Sequence, residues 1–225
     1  MRSKASGFCY INDPAVAINF LLKQGKRVAY VDIDVHHGDG VQAAFYDTDK
    51  VLTISLHESG EFLFPGTGFP EDSGAGQGRG YSINLPFPPD TGDELFTRGF
   101  EEIAPSFIQA YKPDILVTQL GVDTFASDPI THLRLTTNGF ETMVKRFRSF
   151  GLPWVALGGG GYDPDNVKRA WTLAWAIMNR VEDRENLIEL RDKPLKEKTT
   201  NAQRKSVEEA IMYLKKEVLP LVRGG

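Results

Sequence analysis

Short apolar runs recur along the chain, closed by glycine or bracketed by proline, and longer stretches between them carry apolar residues three and four apart. The short runs suit strands buried on both faces, and the longer stretches suit helices that lay one face on a core. Residues 28–34, 51–57 and 81–85 read as strands. Residues 115–119 and 154–157, each preceded by a proline and followed by glycine, read as buried strands of a parallel sheet. Helices are predicted over 15–23, 40–46, 94–111, 137–150, 164–179 and 207–222. Asp13 would cap the first, with Pro14 at its first position and Gly25 as its stop. Gly99 and Pro105 are expected to interrupt the third, and Asp163 caps the fifth. Leu214, Val218 and Leu221 mark the apolar face of the last.

Strands alternating with helices predict a mostly parallel α/β sheet with helices on both faces. Beyond about residue 181 the pattern gives way to charge. Residues 1–181 therefore read as the α/β domain, and 182–225 as a charged, helical C-terminal appendage. The glycine-rich segment 74–80 lacks the lysine and serine of a phosphate loop and reads as a mobile surface loop.

Composition narrows the function classes. The 225 residues are 41% hydrophobic and 25% charged, the profile of a soluble globular protein. A net charge of −4 argues against nucleic acid as the partner. No apolar run approaches the roughly 20 residues of a membrane span, and the first ten residues show no apolar signal-peptide core. The single cysteine, Cys9, permits no intrachain disulfide and fits a reducing compartment, so a cytoplasmic location is the default expectation.

Chemistry concentrates at the exits of the predicted strands. The run at 28–34 leads into Asp32-Ile33-Asp34-Val35-His36-His37-Gly38-Asp39-Gly40. Residues i and i+2 of a strand share a face, so Asp34 and His36 can reach one point. The next exits deliver Gly121-Val122-Asp123 and Gly158-Gly159-Gly160-Gly161-Tyr162. In open α/β sheets ligands bind beyond the carboxyl ends of the strands. Asp34, His36 and Asp123 thus form a three-ligand set, which leaves a position open as catalytic metal sites do.

Each signal also has a plainer structural meaning. An Asp-x-His pair is often a cap or a hydrogen-bonded pair, and an aspartate after a strand is often a turn former. His57 fits a core role and His132 a loop. Phe8, Phe45 and Phe62 fit packing roles. The metal reading rests on several signals falling at the same end of successive strands.

At these residues the sequence resembles the zinc-dependent histone deacetylase superfamily, especially its acetoin-utilisation branch. The resemblance is carried, in order, by Ala5-Ser6-Gly7-Phe8-Cys9-Tyr10-Ile11-Asn12-Asp13, the segment 32–40, Phe64-Pro65-Gly66-Thr67-Gly68, Gly121-Val122-Asp123 and the segment 158–162. It implies an arginase/deacetylase-like three-layer α/β fold and hydrolysis of an acetyl amide, on a protein lysine or on a small acetylated amine. It assigns one Zn2+ to Asp34, His36 and Asp123, and carbonyl polarisation to Tyr162. Asp32 and Asp39 become the acids behind two catalytic histidines. Gly7, Phe8, Phe64, Gly160 and Gly161 line an acyl-lysine tunnel. A monovalent cation, usually K+, would sit near Asp32, Asp34, His36, Ser55 and Leu56, and a second near Phe45, Thr48, Val51 and Tyr81.

One departure stands out. The family carries adjacent histidines shortly before its Ser-Gly-Phe segment, and here Met1 lies just downstream of that place. The resemblance therefore implies that the first strands of the sheet are absent, that the chain is the C-terminal portion of a longer protein, and that it hydrolyses acetyl-lysine weakly or not at all. It also implies an exposed sheet edge that invites self-association. Two other readings remain open. An arginase-like hydrolase with two metal ions shares Asp34-Val35-His36 but needs further acids near Asp123, and none lies two residues beyond it. A non-catalytic fragment that binds acyl-lysine peptides or a partner is the other.

Overall fold

The computed structural model describes residues 5–196 and 198–223. Five parallel strands form one sheet: β1 (Val28–Asp32), β2 (Val51–Glu58), β3 (Ser82–Phe87), β4 (Ile115–Gln119) and β5 (Trp154–Leu157). Their order is β3-β2-β1-β4-β5. The chain builds outward from β1 to β3 on one side, then crosses back to add β4 and β5 on the other. Strand order therefore reverses between β1 and β4. Such a reversal opens a crevice at the carboxyl ends, because the connections on its two sides leave in opposite directions.

Every residue of β1 and β2 is buried, which explains their unbroken apolar runs. Alternate side chains enter two cores. Ala29 and Val31 join the larger one, built with α3 (Asp93–Tyr111), α4 (Thr137–Ser149), α5 (Pro164–Met178) and α6 (Asn201–Tyr213). Val28 and Tyr30 join the smaller one, built with α1 (Asp13–Lys23) and α2 (Asp39–Phe45). The predicted α/β architecture holds, with helices on both faces of an all-parallel sheet. Among the described residues no helix is long and apolar enough to cross a membrane.

Several local expectations are corrected. Asn12, not Asp13, caps α1: its side-chain oxygen accepts from the Ala15 N–H at 3.0 Å, and Asp13 becomes the first helical residue. β1 stops at Asp32, so Asp34 and His36 lie in the bend beyond it and not on a strand face. α3 runs unbroken through Pro105. Burial of Phe100, Ile103, Ala104, Phe107, Ile108 and Tyr111 along it outweighs the one lost hydrogen bond. Gly99 serves packing, since a Cβ there would lie 2.7 Å from Phe87 Cζ and 2.8 Å from Leu85 Cδ2.

The last helix begins earlier than expected. α6 starts at a Thr200–Gln203 capping box and gives way after Tyr213 to a π turn, Leu214–Val218, and a 3-10 turn, Leu219–Leu221. Val207, Ile211, Leu214 and Val218 enter the larger core. The glycine segment 74–80 is a packed knot, not a loose loop. Ala75 N–H donates to Tyr46 O at 2.8 Å, and a Cβ on buried Gly78 would lie 2.4 Å from that same oxygen.

Candidate metal centre

The reversal between β1 and β4 places the bend after β1 beside the loop after β4. Asp34, His36 and Asp123 meet there, each offering one ligand atom, all within 4.8 Å of one another. Among the described residues this is the only such group of three or more. His36 Nδ1 lies 3.1 Å from Asp34 Oδ1 and 3.2 Å from Asp123 Oδ2.

Backbone donors aim both carboxylates. Asp34 Oδ1 accepts from the His36 N–H at 3.0 Å, and its Oδ2 accepts from the Gly160 N–H at 2.6 Å. Asp123 Oδ1 accepts from the Val35 N–H at 2.8 Å. This leaves Asp123 Oδ2 buried without a hydrogen bond. Glycine is required on two sides. A Cβ at Gly121 would lie 2.3 Å from Asp34 Oδ2, and one at Gly160 would lie 1.9 Å from Asp123 Oδ2. The tetraglycine segment thus closes backbone onto the cluster through Gly160, whereas a Cβ at Gly161 would meet Val122 and Val167.

Two carboxylates and an imidazole this close divide their protons unevenly. Burial raises the Asp123 carboxyl to about 7, helped by the charge of Asp34. Burial would raise Asp34 as well, but hydrogen bonds and charge from His36 hold it below the ordinary range. Burial opposes protonation of His36, yet the carboxylates of Asp123 and Asp34 facing its ring raise it to about 10. Asp32, behind them at the end of β1, is pushed well up by burial and by Asp34. Its Oδ2 accepts from the Tyr30 hydroxyl at 2.7 Å and its Oδ1 from the Asp34 N–H at 3.0 Å.

Two buried carboxyls around one imidazole, with one carboxyl oxygen left without a hydrogen bond, fit a divalent cation. Two hard oxygens and a borderline nitrogen are a donor set for zinc with an open position. A bound cation would replace the proton that Nδ1 now shares and would stabilise both carboxylates as anions.

Aromatic groups ring the cluster. Tyr162 is 40% exposed, and burial together with the charges of Asp123, Asp34 and Asp128 raises its phenol to about 12, so it remains a donor. Its backbone N–H donates to Asp128 Oδ2 at 2.7 Å. Phe8 stands edge-on to Tyr162 with ring centroids 5.8 Å apart. Ser6 and Cys9 exchange backbone hydrogen bonds around Gly7 and Phe8, both at positive φ, so a tight turn carries Phe8 at its tip. Phe64 lies edge-on to His36 at 6.4 Å. Phe8 and Phe62 are exposed and are not packing residues, whereas Phe45 is buried.

The remaining expected site residues fall in two places. Asp32 and Ser55 are register partners across β1 and β2, next to Leu56 and to Asp34 and His36. Phe45, Thr48, Val51 and Tyr81 gather around the opposite, amino ends of β2 and β3. Asp39 sits half-buried in the first turn of α2. Sequence reasoning missed Asp128, which anchors Tyr162, because nothing in its spacing from Asp123 signals the fold-back.

The sequence profile of the Histone deacetylase domain matches residues 1–178. The chain belongs to the histone deacetylase family. It is 43% identical over 188 residues to the acetoin utilization protein AcuC of Bacillus subtilis, covering 80% of this chain and 49% of that one. It is 45% identical over 181 residues to human histone deacetylase 1, covering 80% of this chain and 37% of that one. A crystal structure of a histone deacetylase homologue from Aquifex aeolicus superposes with a TM-score of 0.82 at 34% identity, over 94% of this chain and 64% of that one. A crystal structure of an HDAC homologue complexed with SAHA superposes with the same TM-score of 0.82 at 34% identity, over 94% of this chain and 64% of that one. The chain spans less than half the length of these curated relatives.

Proposed function

We infer that this chain carries the zinc-binding and acyl-binding residues of an acetyl-amide hydrolase, acting on acetylated lysine of a protein or on a small acetylated amine. The observation that supports it most is the convergence of Asp34, His36 and Asp123 with an orphaned buried carboxylate oxygen. Zinc held there would supply Lewis acidity to the acetyl carbonyl and to the attacking water. The chain's own groups do the rest. Tyr162 donates its hydroxyl to the oxygen on which charge develops, a contribution on the order of 3 kcal/mol for one such donor. Phe8 and Phe64 flank an apolar stem such as that of lysine. Asp32 and Ser55 hold the bend from behind, where a monovalent cation such as K+ would further fix the carboxylates.

The base is the weak point. His36 belongs to the metal set. His37 and His57 are hydrogen-bonded at both ring nitrogens, and His132 pairs with Glu58 at 2.7 Å. Among the described residues no histidine is free to take a proton from water at the cluster, and lack of a general base costs about 10²–10⁴-fold. The chain should therefore bind one zinc ion and release acetate slowly from an acetyl-lysine peptide, with added imidazole restoring part of the rate. Asp123→Asn should abolish zinc binding. Metal-free protein after zinc loading, or zinc retained by Asp123→Asn, overturns this reading. Among the described residues only Asp34, His36 and Asp123 converge as metal-ligating side chains, and Asp128 is not among them, which disfavours the two-metal alternative.

A further inference from the structure

Two buried imidazoles outside the metal set link the two loops that form the candidate site. One hydrogen-bonded chain runs from the metal bend to the segment that follows Phe64. The Gly38 N–H donates to Ser55 Oγ at 3.2 Å, Ser55 Oγ lies 2.9 Å from His57 Nδ1, and His57 Nε2 lies 2.9 Å from the Gly68 carbonyl. A carbonyl only accepts, so Nε2 carries the hydrogen and Nδ1 accepts from the Ser55 hydroxyl. The direction of every bond is thereby set. Burial keeps His57 neutral by lowering it to about 3.

A second chain runs beside it. His37 Nδ1 lies 2.8 Å from Thr67 Oγ1, and His37 Nε2 lies 3.1 Å from Gln42 Oε1. Asn84 Nδ2 donates to that same Gln42 oxygen at 2.8 Å and to the Asp72 carbonyl at 3.1 Å. The two rings pack 4.9 Å apart against Gly68. A Cβ at Gly68 would lie 2.5 Å from His57 Nε2 and 2.6 Å from His37 Cγ, and its φ is +91°. The loop can therefore seat on the imidazoles only with glycine there.

We propose that His37 and His57 are positioning residues that lock the Phe64 loop onto the metal-binding bend and so set the aromatic wall against which the acyl-lysine stem lies. His37 directly follows the ligand His36, and His57 lies two residues beyond Ser55 on the same strand, β2. The loop bearing Phe64 is thus tied to the bend after β1 and to β2, the two segments behind the cluster. Imidazole suits the task because it places a donor and an acceptor at opposite ends of one rigid ring, a span that serine or threonine cannot bridge. The assignment of the wall rests on the acetyl-amide reading above; the locking of the loop does not.

Hydrogen exchange and binding test the two parts separately. In His57→Leu, amide exchange over residues 59–69 should quicken by about tenfold or more, because the Gly68 carbonyl loses its buried donor. His57→Gln, whose side-chain amide can still donate to that carbonyl, should restore protection. Thr67→Val, which leaves β2 untouched, should loosen the same segment through the His37 arm. Unchanged exchange in the folded Leu and Val variants overturns the proposal. With the zinc-loaded chain, His57→Leu should weaken acetyl-lysine peptide binding in the parent but not in a Phe64→Ala background. Additive losses would show that His57 does not act through Phe64. A parent chain with no affinity for the peptide defeats the acetyl-amide reading, and the exchange data still decide the locking.

Discussion

Gly160 shows how little room surrounds the candidate metal. Its N–H donates to Asp34 at 2.6 Å, and a Cβ there would lie 1.9 Å from Asp123 Oδ2 and 2.8 Å from Asp34 Oδ2. Gly160→Ala should therefore push apart the two carboxylates while leaving the core intact. Zinc affinity should fall by about tenfold or more, as it does when groups that orient ligands are lost, with little change in melting temperature. Calorimetric zinc titration of both proteins checks this, and equal affinities would show that the close approach is not needed. The four consecutive glycines were conspicuous in the sequence. Which of them faced a carboxylate was not, because that depends on two loops separated by more than a hundred residues. The aspartates and the histidine were legible because their types and strand-exit positions carry the chemistry. Asp128 and the His37–His57 pair were not, because their partners become neighbours only when the loops fold over.

At the level of helices and strands, short apolar runs located β4 and β5 to the residue, and the strand exits they marked bring Asp34, His36 and Asp123 together. The failures have local causes. Burial outweighs helix-breaking tendency in α3, and Asn12 accepts the capping bond expected of Asp13. The C-terminal segment is the larger surprise. Its charge suggested an appendage, yet Leu214 is fully buried in the main core beside Val207, Ile211 and Val218. Leu214→Ala should destabilise the protein by about 2–5 kcal/mol, the usual cost of truncating a buried leucine. Urea unfolding measures it, and a loss below about 1 kcal/mol would mean that the segment adds little to the fold.

Taken whole, the sheet is well covered on its faces and bare along one side. β5 pairs only with β4, carries Trp154-Val155-Ala156-Leu157, and leaves Val155 37% exposed. Pro153 precedes the strand, but no charge or proline lies within β5 itself. The following helix, α5, exposes Trp175 and Met178. The chain should accordingly self-associate at micromolar concentrations, and Val155→Lys should shift it toward monomer in sedimentation velocity. A parent that stays monomeric throughout would remove the edge as an association surface.

The amino-acid order alone determined the alternation of buried strands and amphipathic helices, and the residue types able to hold a metal. Those follow from periodicity and side-chain chemistry, which are local. The placement of β4 beside β1 came from the fold, and with it the meeting of Asp123 with Asp34 and His36. So did the burial that shifts their protons and the imidazole pair that carries the Phe64 loop. Strand order and loop closure are settled by how the two cores pack against a shared sheet, and no short stretch of sequence encodes that.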